Sequence, residues 1–380
     1  MSRIDRHRPS PTVLAAGALV LAAAAVPAQP ASLQGSRITV DSASGGRLAV
    51  AIRRLGSGEG SRWIAWAAPA EDPRRQMCCF EGIESAARPG AVGRCRLDRE
   101  RSFNMSDGDD AAGWRGGDEF FVFVRVRSGV VDRVRSFSES CRIEAGSAPV
   151  IWLEDVAAAD SVAWLEALAR QETGSPRASR RNDEEDDDDG DSERLGAPAI
   201  AAIALTEGSE ATAALDRMIA PGEPWTLRKK AAFWLAAARG AAGCRRLVAA
   251  VPSDADDGFR KHGTFALSLC KDQATEALLR MARKDSSSKV RSQALFWLAQ
   301  HAGRKVSEAL DQAIRDDPDT EVKKQAVFAF SQMPDGEGIP ELIRVARTNR
   351  NPEVRERAVF WLGQSNDPRA LDFIEEVLTK

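Results

Sequence analysis

The chain has 380 residues, a length that fits two or three domains. Apolar residues make up 43% of it and charged residues 29%, which excludes a wholly disordered or collagen-like chain. Fifty-three Lys and Arg against fifty-six Asp and Glu give a formal charge of −3, so no global basic field exists to hold nucleic acid, and none is expected as a partner.

At the N-terminus, Arg3, Arg6 and Arg8 precede an apolar run from Val13 to Val26 and then Val26-Pro27-Ala28. This is the charged, apolar, small-residue layout of a secretory signal over residues 1–28, with cleavage expected after Ala28; an uncleaved N-terminal anchor is the alternative. The run is too short and wrongly flanked for a spanning helix, and no other segment has the length to cross a bilayer. The expected product is therefore periplasmic or secreted, with no transmembrane segment in the mature chain.

Six cysteines in an exported chain suggest disulfides. Cys78, Cys79, Cys95 and Cys141 lie in the first half, Cys244 and Cys270 in the second. Adjacent Cys78 and Cys79 do not readily close on each other, because that ring is strained, so one or two bridges are expected to tie Cys141 and Cys95 to this pair. A zinc site of the same four thiolates is the alternative, although it lacks two close C-x-x-C pairs.

Residues 29–171 read as a β-rich domain. Arg47 to Arg53 and Arg62 to Trp66 alternate as strands do, between Gly, Ser and Pro clusters. Glu119 to Arg127 and Val130 to Phe137 predict a hairpin turning at Ser128-Gly129, which sets Arg125 opposite Asp132 and Phe123 opposite Val134. Ser161 to Arg170, with Val162, Leu165, Leu168 and Ala169 on one side, predicts a closing helix. Residues 172–194 form a biased tract with a run of acids from Asp183 to Asp189 that repels itself, which reads as a disordered linker; a weak calcium or basic-partner site is the alternative, without the spacing of a calcium loop.

From Leu195 the sequence repeats. Segments beginning at Leu195, Leu227, Phe259, Val290, Val322 and Val354 are offset by 32, 32, 31, 32 and 32 residues. Four places on stands a small residue (Ala199, Ala231, Gly263, Ala294, Ala326, Ala358) and eight places on a bulky apolar one, so these positions stack on one helical face and let a second helix approach. Stretches such as Ala274 to Lys284, Val306 to Ile314, Ile339 to Ala346 and Ala370 to Leu378 supply that second helix. About six helical pairs over residues 195–380 should stack into a solenoid.

The segments KVRSQALFWLAQ (Lys289 to Gln300), EVKKQAVFAFSQ (Glu321 to Gln332), EVRERAVFWLGQ (Glu353 to Gln364) and DPRALDFIEEVL (Asp367 to Leu378) resemble the HEAT-repeat family, in the short bacterial form also seen in phycobilisome-lyase-type repeats. The expected class is thus α+β multidomain, a β-rich disulfide-containing N-terminal domain followed by an α-α solenoid of HEAT-like repeats. The resemblance implies a binding scaffold; chromophore lyase activity, which it also touches, has no second cue in the sequence.

Six places after each anchor from the second unit on stand Phe233, Phe265, Phe296, Phe328 and Phe360, among Lys229, Lys261, Lys324, Gln293 and Gln325, with Gln300, Gln332 and Gln364 one turn later. Such a ladder is what a groove for an extended peptide or protein partner would use; packing between neighbouring first helices is the other reading. Trp234, Trp297 and Trp361 are expected in the core. Arg228, Arg260, Arg291, Lys323 and Arg355 follow each anchor directly and either form a ladder with acids such as Asp285 and Asp317 or bind an acidic partner. No catalytic motif is found: the chain has no G-x-S-x-G elbow, phosphate loop or H-E-x-x-H. Of three histidines, His7, His262 and His301, the last two occupy positions expected to face solvent. No cofactor or metal is called for. The reading is an exported, non-enzymatic scaffold; a thiol-active or metal-binding N-terminal domain centred on Cys78 and Cys79, with the solenoid as docking module, is the alternative.

Overall fold

The computed structural model describes residues 29–43, 47–79, 94–98, 103–106, 117–173, 195–300 and 304–379. The expected leader (1–28), the acidic tract (174–194), His7 and His301 lie outside these residues.

A five-stranded mixed sheet organises the N-terminal half, in the order β2 (Ile38–Ser42), β10 (Val150–Glu154), β3 (Ser61–Pro69), β7 (Glu119–Arg127), β8 (Val130–Ser138). The first three strands run parallel and β3, β7 and β8 antiparallel. Both faces are covered, so the run FFVFV of β7 (Phe120 to Val124) is apolar at every position rather than alternately. Phe120, Val122 and Val124 meet the layer of α1 (Leu48–Gly56) and α2 (Ala158–Thr173). Phe121 and Phe123 meet a small sheet of β1 (Leu33–Gly35), β9 (Arg142–Gly146) and β5 (Arg94–Arg96). A two-stranded ribbon, β4 (Gln76–Cys79) with β6 (Phe103–Ser106), completes the described strands.

Two local expectations are corrected. Arg47 to Arg53 is not a strand: Leu48, Ala51, Ile52 and Leu55 also satisfy the helical spacing, and burying that stripe against the sheet selects α1. The hairpin turns where expected, with φ of 50° at Ser128 and 80° at Gly129, but a bulge between Arg125 and Val126 shifts its register. Arg125 therefore pairs with Arg133 and Phe123 with Arg135, while Asp132, left over at the bulge, still receives Arg125 Nε at 2.7 Å and Nη2 at 3.1 Å. In the closing helix, Val162, Leu165, Leu168 and Ala169 are buried as the spacing demands.

Residues 196–379 form six helical pairs. The first helices are α3 (Gly196–Leu205), α5 (Trp225–Ala238), α7 (Asp257–Ser268), α9 (Ser288–Ala299), α11 (Thr320–Ser331) and α13 (Pro352–Gly363). The second helices are α4 (Ser209–Met218), α6 (Gly240–Ala250), α8 (Thr275–Lys284), α10 (Arg304–Asp316), α12 (Ile339–Thr348) and α14 (Pro368–Thr379). Asp256, Asp319 and Asn351 cap α7, α11 and α13 by accepting their leading backbone N–H groups. The small residue four places after each anchor is buried in every unit. In the third unit it is Gly263 because Val251 fills the space where a Cβ would stand.

The two halves share one apolar core that runs from Ile64 and Trp66 of the sheet through Leu165 of α2 to Ala199 and Ile203 of α3. The chain also bridges the joint with backbone bonds, Glu71 N–H to Leu205 O at 2.8 Å and Glu207 N–H to Pro69 O at 2.9 Å. Beside them Arg239 is buried and donates to Thr212 Oγ1, Ala204 O, Thr206 O and Gly208 O, and pairs with Glu71 at 3.0 Å. The sheet domain thus covers the first helical pair, whose apolar end would otherwise be open to water.

Candidate functional site

The first helices lie side by side, which lines up equivalent positions of successive units. The five phenylalanines six places after each anchor form one row across α5, α7, α9, α11 and α13. Phe233 stacks on Phe265 at 6.3 Å between centroids and 12° between planes, and Phe296 on Phe328 at 5.9 Å and 9°. Between these stacks, Phe265 packs on Trp297 at 5.0 Å and Phe328 on Trp361 at 4.8 Å.

The alternation follows from the next residue in each unit. Where it is alanine, Ala266 or Ala329, the preceding phenylalanine reaches its counterpart and stacks; where it is tryptophan, Trp297 or Trp361, the indole intercepts it. Each tryptophan also packs edge-on against the phenylalanine before it, Phe233 with Trp234, Phe296 with Trp297 and Phe360 with Trp361. Such pairs contribute about 0.5–1.5 kcal/mol each beyond burial. Trp234, Trp297 and Trp361 are thus half-buried members of the row rather than core residues, because their neighbours are rings of the same face.

Packing between helices does not use the rings up. Phe233, Phe265, Phe296 and Phe328 remain partly exposed and Phe360 is 49% exposed. Trp297 Nε1 and Trp361 Nε1, at the same repeat position, find no acceptor among the described residues. Gln300, Gln332 and Gln364 are exposed at the C-caps of α9, α11 and α13, and Gln293 and Gln325 lie half-buried one turn before the phenylalanines. His262 does not face solvent as expected. It sits between Trp225, 5.8 Å away, and Phe265, 6.3 Å away, and burial together with nearby Lys229 holds its pKa down at about 4, so it is neutral near pH 7.

The arginine row is structural. Arg260 reaches Asp285 and Arg291 reaches Asp317 in bidentate pairs, and Arg228 reaches Asp254, each across a joint between units. Lys323 and Arg355 donate to backbone carbonyls, at Arg315 and at Asn349 and Arg350. An acidic partner is not what these groups hold.

Of the four N-terminal cysteines, Cys78 is bonded to Cys141 and Cys95 is buried on β5. A zinc site of all four thiolates is overturned by this bond, since two of the ligands are oxidised. Cys244 is bonded to Cys270, which joins α6 of one unit to the end of α7 of the next. Sequence reasoning did not pair these two, although both fall at unit edges; it also missed the ring contacts of His262, for which the neighbouring Trp225 and Phe265 were the available signal.

The HEAT repeats family matches residues 307–380. The helical half is a HEAT-like solenoid. Among solved structures, the chain is similar to the complex of CpcE and CpcF of phycocyanin lyase from Nostoc sp. PCC7120, at 19% identity and a TM-score of 0.33 over 42% of this chain and 100% of that one. It is also similar to human deoxyhypusine hydroxylase in complex with glycerol, at 14% identity and a TM-score of 0.24 over 57% of this chain and 89% of that one. Likenesses at these scores carry no argument about activity. No curated protein matches the chain.

Proposed function

We propose that this protein is an exported, non-enzymatic scaffold that binds a protein or peptide partner along the ring row of its HEAT-like solenoid. One observation carries the reading: a continuous row of aromatic rings on five successive first helices stays partly open to solvent and ends at exposed Phe360. Partly exposed aromatic surface in a continuous row is what binding energy is drawn from. Two disulfides favour an oxidising compartment, in keeping with the leader-like residues 1–28, and among the described residues no helix is long and apolar enough to cross a membrane. The thiol or metal reading of the N-terminal domain loses Cys78, which is buried and bonded to Cys141.

The test is selection of binders to the full chain from a displayed peptide library, followed by comparison of the winners on Phe360→Ser and Phe328→Ala. Loss of binding with retained helicity supports the ring row. Undiminished binding to both variants removes it.

A further inference from the structure

The rings are bordered by cations on the side toward the start of each helix: Lys229, Lys230, Lys261, Lys324 and Arg357. Their proximity to the rings shows in the contacts. Arg357 Cζ lies 5.3 Å from the Trp361 ring and 5.7 Å from Phe360, and His262, which has Lys229 nearby, packs on Phe265.

Three of these cations differ from the arginine row in lacking a carboxylate partner among the described residues. Lys230 and Lys261 have no ion-pair partner among the described residues, and Arg357 Nε has no hydrogen-bond acceptor there. Lys229 is engaged beside His262, and Lys324 pairs with Glu321 at 2.7 Å and Glu353 at 3.6 Å. Against them the same two columns of the five first helices carry one acid, exposed Glu356. A chain with 53 bases and 56 acids has therefore placed unmatched positive charge beside its partly open aromatic surface, while Arg228, Arg260 and Arg291 are each matched with an aspartate.

We propose that the ring row takes an extended acidic segment of a separate protein, carboxylates meeting Lys230, Lys261 and Arg357 while apolar side chains lie on the exposed ring edges. The inference rests on the reading of the row as the binding face and adds the chemistry of its partner. The linked rings from Phe233 to Phe360 make a track of at most about 32 Å, the length of about 9 extended residues. Open cations of this kind select partners by sign and steer their approach.

The probe is a fluorescein-labelled peptide of alternating Glu and Leu, about 12 residues long so that it overruns the track, measured by anisotropy on the full chain beside versions with Gln or Lys in place of Glu. The acidic peptide should bind at least about tenfold tighter than the Gln version, with a margin that shrinks as salt rises. Lys230→Glu combined with Lys261→Glu should abolish that margin with an unchanged circular dichroism spectrum. Equal binding of the acidic and Gln peptides, both lost in Phe360→Ser, overturns the acidic preference and leaves the ring row as a binding face. Absence of binding by every peptide overturns both. Binding that emerges only when Asp183 to Asp189 are replaced by serine identifies the chain's own acidic tract as the occupant and overturns the separate partner.

Discussion

Arg260 and Asp285 face each other across the joint between the third and fourth helical pairs, with Arg260 Nε and Nη2 each 2.9 Å from a carboxylate oxygen. The same aspartate accepts the Ser287 N–H at 2.9 Å, fixing the turn that opens α9, and the Arg291–Asp317 pair repeats the arrangement one unit on. One unit later the arginine becomes Lys323 and the aspartate Asn349, so the two partners change together while Asn349 keeps the turn bond to Asn351 N–H. A buried guanidinium needs its carboxylate, and the substitution of one is accompanied by the other.

Asp285→Asn is expected to destabilise the solenoid by about 3–5 kcal/mol, because it leaves Arg260 buried without its counter-charge. Urea unfolding of the variant checks it, and a loss below about 1 kcal/mol would contradict a desolvated pair. Burial alone would raise the Asp285 pKa, but the hydrogen bonds from Arg260 and Ser287 outweigh it and hold the pKa below the ordinary carboxylate value. A depressed carboxylate stabilises the fold above its unfolded pKa, and the contribution is lost as pH falls through the folded value. Wild-type stability should therefore drop below about pH 4, and Asp285→Asn should drop less.

Arg239→Ala should uncouple the sheet domain from the solenoid. It removes the donor shared by Ala204 O, Thr206 O and Gly208 O and leaves Glu71 without its pair. Calorimetry should show one cooperative transition for the wild type and two, or one weakened by about 3 kcal/mol, for the variant.

The Cys244–Cys270 bond closes a separation of 26 residues and staples two consecutive units. Replacing both cysteines with alanine should cost about 3 kcal/mol, visible as a lower Tm, while Cys78–Cys141 persists. Peptide mapping under non-reducing conditions reads both bonds directly; any other pairing of these four residues refutes the assignment.

Gly338→Ala should be strongly destabilising, by more than about 2 kcal/mol, because the new Cβ would overlap the carbonyl oxygen of Phe330, a backbone atom with no freedom to swing away. Gly243 stands in the same relation to Leu235 O two helical turns after an equivalent anchor position and should respond alike. Thermal melts of both variants, beside Gly363→Ala where nothing lies within 4 Å, provide the comparison.

His262 should titrate near pH 4, well below the ordinary histidine value of 6.5. Burial between Trp225 and Phe265 disfavours its charged form, and Lys229 adds to this. Since the unfolded chain takes up the proton first, stability should decline as pH falls from 6.5 toward 4, and His262→Gln should remove part of that slope. An NMR titration with a midpoint near 6.5 would place the ring in water instead.

The helical half was legible residue by residue because its information is local and repeated. Anchor, small residue and bulky residue recur at positions 0, 4 and 8, so one period predicts the helix, the buried stripe and the approach of its partner. The arginine positions and the aspartates at the joints recur with the same period, which made their pairing readable as well. The ring row was visible as five phenylalanines, but whether they touch or open to solvent depended on the alternating Ala and Trp beside them, which act across neighbouring helices. In the N-terminal half the hairpin turn and the closing helix were legible too, and tertiary structure decided the rest. Leu48 to Ile52 fits strand and helix spacing alike until the sheet supplies the surface that buries its helical stripe. One extra residue at Asp132 moved the hairpin register without changing the pattern of the strands. The joining of the halves through Arg239, and the choice of Cys141 for Cys78 and Cys270 for Cys244, rest on which distant residues are brought face to face, and a periodic sequence signal carries no record of that.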